Sequence, residues 1–149
     1  MHRFETRADL DAAVGQHLGH SSWLTIDQQR IDLFADATDD HQWIHVDPAR
    51  AASGPYGSTV AHGYLTLSLV PALVGEVLDY PGWPAKLNYG SDKVRFPAAV
   101  PVGSRVRAGV ELQAVRKTAS GIQVANRVTV EVEGSDRPAL VAETLTLLM

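Results

Sequence analysis

Two long runs of strict alternation constrain this chain more than any other feature. Val106, Ala108, Val110, Leu112 and Ala114 alternate with Arg105, Arg107, Gly109, Glu111 and Gln113. After a turn from Lys117 to Gly121, Ile122, Val124, Val128, Val130 and Val132 alternate with Gln123, Arg127, Thr129, Glu131 and Glu133, and only Asn126 interrupts the apolar side. Successive side chains of a strand point to opposite faces, so this period predicts a long antiparallel hairpin with one face buried. Ala139 to Met149, apolar on both faces, reads as a last strand entered through Gly134-Ser-Asp-Arg-Pro138. Leu87 to Phe96, closed by Pro97, reads as another.

A sheet of this kind needs a cover. From Ala61 or His62 onward, Leu65, Leu67, Leu69, Val70, Leu73, Val74, Val77 and Leu78 lie on nearly all sides of one helix, which predicts central burial. Pro71 is expected to kink it, and Asp79-Tyr-Pro-Gly82 to stop it. Upstream, Glu5 to Leu18 has helical spacing, and a short extended piece surrounds Trp23-Leu24. Thr25-Ile-Asp-Gln28 has the form of a capping box and opens a helix with Ile31, Phe34, Ala35 and Thr38 on one face, ending near Asp39. A Pro-, Gly- and Ser-rich loop follows from Pro48 to Thr59. The expected class is α+β, a long antiparallel sheet wrapped around a central buried helix. Its 149 residues, 45% hydrophobic and without repeat or linker, are expected to form one domain over 1–149.

Composition removes several kinds of chemistry. The absence of Cys excludes disulfides, thiolate nucleophiles and cysteine-ligated zinc. A formal charge of −4 argues against a nucleic-acid partner. No apolar run approaches the roughly 18–20 residues of a membrane span and no signal segment is visible, so a soluble, cytoplasmic protein without a membrane partner is expected. The charge is unevenly divided. Residues 1–85 carry four basic and eleven acidic side chains, a balance of −7, and residues 86–149 carry nine and six, a balance of +3. The second half therefore suits an anionic partner, although solvated strand faces have the same composition.

Reactive side chains are dense in one place, Thr38-Asp-Asp-His-Gln-Trp-Ile-His-Val-Asp47. It can be a solvated helix end, a metal site of His41, His45 and a carboxylate, or an acid–base pair that clamps a water. Trp43-Ile44 and Pro48 break the helix that would align His41 with His45, so no metal is expected. Downstream, Val60-Ala-His-Gly-Tyr-Leu-Thr66 opens the apolar helix. A helix start leaves backbone N–H groups unpaired, and Gly63 lets a ligand approach them. Such an N–H suits the oxyanion of a thioester. Gly63 is otherwise a tight packing position, and His62 a packing or capping residue.

Taken together, Asp40-His-Gln-Trp-Ile-His45, Asp47-Pro48, Ala51 and Ala61-His-Gly-Tyr-Leu-Thr-Leu-Ser68 resemble the MaoC-like family of (R)-specific, or type 2, enoyl-CoA hydratases. The family signature is an aromatic residue, then Gly-Asp-x-Asn-Pro-(Ile/Leu/Val)-His, then Ala or Ser six residues on. Phe34 can fill the aromatic place, and Asp40, Ile44, His45 and Ala51 match. Asp39 stands for Gly, Gln42 for Asn and Trp43 for Pro. Leu87-Asn-Tyr-Gly90, Lys93-Val-Arg-Phe-Pro97 and Pro101-Val-Gly103 also look like the family's strand entering the sheet.

The resemblance implies a hotdog fold, a homodimer joined edge to edge, and no cofactor. It implies reversible hydration of trans-2-enoyl-CoA to (R)-3-hydroxyacyl-CoA, with an acyl-CoA thioester as the substrate. Asp40 and His45 would then hold the water, and the Gly63 N–H the thioester oxygen. Val60, Ala61, His62 and Gly63, with Lys86, Leu87, Asn88, Tyr89, Arg95 and Pro97, would line the substrate path. Lys93, Arg95, Arg105, Arg107, Arg116 and Lys117 are candidates for the CoA phosphates, Arg95 foremost. Alternatives are a 3-hydroxyacyl-ACP dehydratase, a hotdog thioesterase and a silent binding protein. Loss of Asp40 or His45 would mark the last, and both are present.

Overall fold

A computed structural model describes residues 1–149. In chain order the elements are β1 His2–Arg3, α1 Arg7–Ala13, β2 His17–His20, β3 Leu24–Thr25, α2 Gln28–Thr38, α3 Trp43–Val46, α4 Pro48–Ala52, α5 Gly63–Val77, β4 Leu78–Asp79, β5 Lys86–Arg95, β6 Arg105–Thr118, β7 Gly121–Val132 and β8 Leu140–Leu148. The main sheet runs β2-β6-β7-β8-β5, with β3 also on β6, and β1 pairs with β4 in parallel. All pairings in the main sheet are antiparallel. No helix is long and apolar enough to cross a membrane.

The alternating runs form the hairpin they predict, β6 against β7 from Val106↔Val132 to Thr118↔Gly121. Val106, Val110, Leu112, Val124, Val128 and Val130 are all buried on its inner face. On the outer face, charges pair across the strands. Arg105 binds Glu133, and Arg107 Nε lies 2.8 Å from Glu131. Lys93 lies 2.9 Å from Glu143, and Lys86 binds Asp79. Four basic side chains of the second half are thus engaged by neighbouring acids, but only Asp79 lies in the first half, so most of the excess remains.

The helical half departs from expectation at several ends. α1 is capped by Thr6 in a capping box with Asp9 and stops at Ala13, not Leu18. Gly15 then takes φ +83, a left-handed turn that glycine adopts without steric cost, and Leu18 is buried in β2 instead. α2 is capped by Asp27, whose Oδ1 accepts the Arg30 N–H at 2.9 Å, and not by Thr25. Thr25 belongs to β3, paired with Arg105, because the edge of β6 offers its backbone a ladder. The stretch from Pro48 that reads as loop opens with α4, where Asp47 caps and Pro48 takes the first turn. The single turn α3 lies just before it.

α5 runs without interruption through Pro71 to Val77. Leu65, Thr66, Val70, Leu73 and Val77 are buried against the sheet. Burial of an aliphatic side chain of this size contributes about 1.5–3 kcal/mol. The helix is not covered on every side, however. Tyr64, Ser68, Pro71, Ala72, Gly75 and Glu76 are exposed, and Leu67 and Leu69 are half-buried. Apolar residues all round the helix overstate its burial in one chain, because the sheet wraps only part of its circumference. β5 is likewise open, with every residue except Val94 exposed, since only β8 bonds to it.

Candidate active site

α2 ends at Asp39, held in the left-handed conformation at φ 59, and this reversal sets up Asp40 immediately after the helix. His45 follows on α3 and is buried. Its Nδ1 lies 2.6 Å from the Val60 carbonyl. A carbonyl can only accept, so Nδ1 carries the proton and Nε2 keeps its lone pair. Gln28 fixes the same turn from behind, donating to the His45 carbonyl at 2.7 Å and accepting from the Thr59 hydroxyl at 2.5 Å. Burial pushes the His45 imidazole below its ordinary pKa, and nearby His62 acts in the same direction. The Val60 bond and the Asp40 charge oppose the shift without cancelling it. His45 is therefore a neutral imidazole with a free basic nitrogen at neutral pH.

His62 is the residue before α5, yet its side chain caps nothing. Its Nε2 donates to the Asp40 carbonyl at 2.9 Å, and its ring stacks on His45 with centroids 3.9 Å apart. Phe34 closes the other side of the His62 ring at 5.0 Å. His62 therefore braces both Asp40 and His45. Asp40, His45 and His62 each present one possible ligand atom within 4.8 Å of the others. A cation would find three lone pairs here, and a water could donate its two protons to two of them.

The sequence cluster separates in space. His41 turns outward to Asp36 at 2.8 Å, and that carboxylate raises its pKa, so His41 and His45 do not combine. Trp43 occupies the first turn of α3, a place that suits Pro, and packs its ring where a Cβ on Gly54 would stand, 2.9 Å away. The Arg50 guanidinium lies 4.4 Å over the same Trp43 ring.

A cleft of about 220 Å³ opens beside His45, lined in part by Val60, Ala61, Gly63, Thr66 and Phe96. Gly63 is the first residue of α5, so its N–H has no carbonyl within the helix to bond. The Phe96 ring covers it so closely that a Cβ would stand 3.1 Å from Phe96 Cγ. Arg95 stands exposed next to Phe96, its guanidinium bonded to the neighbouring Val94 carbonyl. Pro97 is half-buried just beyond. Lys86, Leu87, Asn88 and Tyr89 are exposed on β5 and do not line this cleft. Lys86 is engaged by Asp79, and Asn88 lines a separate cavity. Sequence reading did not single out Gln28, Thr59 or Thr66 for the site. Gln28 appeared as a helix start and Thr59 as loop, and only their long-range contacts reveal them.

A model of the family described as MaoC like domain matches residues 9–134. The chain is 55% identical to 3-hydroxyacyl-thioester dehydratase Z of Mycobacterium tuberculosis (strain ATCC 25618 / H37Rv) over 146 residues, 97% of either chain. It is 48% identical to nodulation protein N of Rhizobium leguminosarum bv. viciae over 149 residues, 95% of this chain and 89% of that one. The solved (R)-hydratase from A. caviae involved in PHA biosynthesis superposes with a TM-score of 0.75 at 25% identity, over 91% of this chain and 96% of that one. The expected hotdog architecture is shared with it.

Proposed function

The chain belongs to the MaoC-like domain family, and on that premise we propose that it is a hydro-lyase adding water reversibly to trans-2-enoyl thioesters to give (R)-3-hydroxyacyl thioesters. The relatives named 3-hydroxyacyl-thioester dehydratase Z and (R)-specific enoyl-CoA hydratase support this chemistry. The observation that carries it is the His45 imidazole, its tautomer fixed by Val60 and a ring nitrogen within 4.8 Å of an Asp40 carboxylate oxygen.

A water held between Asp40 and His45 loses a proton to His45 Nε2 as its oxygen bonds to C3 of the enoyl group. The C2–C3 electron pair moves toward the thioester, whose oxygen gains negative charge and takes the Gly63 N–H as its donor. A proton from the same side-chain pair then completes C2, and the pair returns to its starting state. The conjugated thioester itself supplies the electrophile. CoA is the carrier we propose. Arg95 beside the cleft suits its phosphates, since Lys93, Arg105 and Arg107 are already engaged by acids.

The test is loss of enoyl-thioester absorbance when the protein meets crotonyl-CoA, with the product then oxidised by an (R)-specific dehydrogenase. Release of free CoA without a hydroxyacyl product would overturn the assignment in favour of a thioesterase. The pH profile is a separate check. Because the pKa of His45 is lowered, its base form persists below the ordinary value of 6.5. The acid limb of kcat/KM should therefore fall at a pH below 6.5, and a limb above it would contradict His45 as the base.

We also propose that two copies pair through the open edge at β5, where the backbone lacks a neighbour and Leu87 and Tyr89 are 51% and 63% exposed. Light scattering should give twice the mass of one chain.

A further inference from the structure

Asn126, the one residue that interrupts the apolar face of β7, is 1% exposed. Its Nδ2 donates to the Tyr80 hydroxyl at 3.1 Å, but its Oδ1 is buried without a partner. An amide left this way weakens a core, and a ligand that completes it is correspondingly favoured. The pair is not sealed off. Asn126 and Tyr80 line a cavity of about 190 Å³ between α5 and the strands β5, β7 and β8.

This cavity lies along the same stripe of α5 as the active-site cleft. Gly63 and Thr66 face the cleft, and Leu67, Val70, Pro71 and Val74 face the cavity. Their spacing of 3, 4, 7, 8 and 11 residues from Gly63 keeps all six on one side of the helix. Val70 stands about 10 Å along the axis from Gly63. An acyl chain whose thioester oxygen meets the Gly63 N–H would run along this stripe for its far end to reach Asn126.

Building on the hydratase reading above, we propose that Asn126 with Tyr80 selects enoyl thioesters whose acyl chain bears a hydroxyl near its far end. Whichever way the amide is turned, one of its ends lacks a partner, and a hydroxyl, both donor and acceptor, answers either. Burial pushes the Tyr80 phenol up to about 12, so it keeps its proton and can donate as well. A plain alkyl end would leave these groups unbonded, as a substrate lacking the matching group does in any polar pocket.

Calorimetric binding of decanoyl-CoA and ω-hydroxydecanoyl-CoA to the wild type and to Asn126→Leu tests this. The wild type should bind the hydroxylated chain about 10-fold more tightly. In Asn126→Leu, which restores the apolar alternation, that preference should vanish or reverse. Equal binding of both chains by the wild type, as when the cavity only holds a water, overturns the proposal. So does a preference that survives in Asn126→Leu. If that variant does not fold, Tyr80→Phe removes the hydroxyl alone and should shrink the same preference, and an unchanged preference overturns it. Crotonyl-CoA is too short to reach Asn126. Its failure to react with the wild type would strike the hydratase reading, whereas the binding comparison would still decide the role of Asn126.

Discussion

Replacing Asp40 by Asn, or His45 by Gln, should lower kcat for crotonyl-CoA hydration by about 100- to 10,000-fold, the usual worth of a positioned acid or base. Neither change should disturb folding. Asp40 is exposed, and its carboxylate accepts only a long 3.4 Å bond from the Gln42 N–H. Asn keeps the shape and can still hold a water, but it cannot exchange protons with it. In His45→Gln the new side-chain amide can donate to the Val60 carbonyl where Nδ1 now does, yet it has no basic nitrogen to replace Nε2. Steady-state kinetics alongside thermal melting separates the two effects. The double variant should be little worse than either single one, because the two side chains act on one water. Turnover near that of the wild type in either variant, with an unchanged melting point, would remove the residue from the mechanism.

Gly63→Pro is expected to cost about 100- to 1,000-fold in kcat, the loss that follows removal of one oxyanion donor. Proline has no N–H but is well tolerated at the first position of a helix, which is where Gly63 lies. His62 before it has φ −59 and ψ 139, the extended conformation that a following proline requires. The change therefore deletes the donor and keeps α5. Bulk is controlled by Gly63→Ala, whose Cβ presses on the half-exposed Phe96 ring but leaves the N–H in place. The alanine variant should lose much less in kcat. Equal losses in the two would mean that space over Gly63 matters and its N–H does not.

The sheet was legible because its signal is local: each residue of β6 and β7 records in its polarity the face it occupies. α5 was legible as a helix but not in its exposure, since apolar residues on all its sides do not record how much of its circumference the sheet wraps. Helix ends were harder. Thr25 and Asp27 are both competent caps, and the choice fell to β3 pairing with Arg105, a contact between residues 80 positions apart. The acid–base pair was visible as spacing, whereas the brace behind it was not. Gln28 reaches the His45 backbone carbonyl and His62 that of Asp40, groups that every residue has and no motif records, while Thr59 holds the Gln28 side-chain amide. Asp39 shows why Gly is expected there by the signature. Its φ of 59 is a conformation that costs an ordinary residue about 1–2 kcal/mol, less for Asp, and that Gly adopts freely.

β5 has two roles that chemistry must reconcile. Its backbone is the unpaired border of the sheet, and its Asn88, Gly90 and Ser91 form one wall of the Asn126 cavity. Were two copies to pair at that border, as proposed above, the partner would also act on the wall, and occupancy of the cavity and association of chains would be thermodynamically linked. Linkage is reciprocal: a ligand that favours the ordered wall tightens association by the same factor by which association tightens the ligand. Dilution would then be a variable of selectivity, and affinity for long acyl chains should be compared at matched protein concentration.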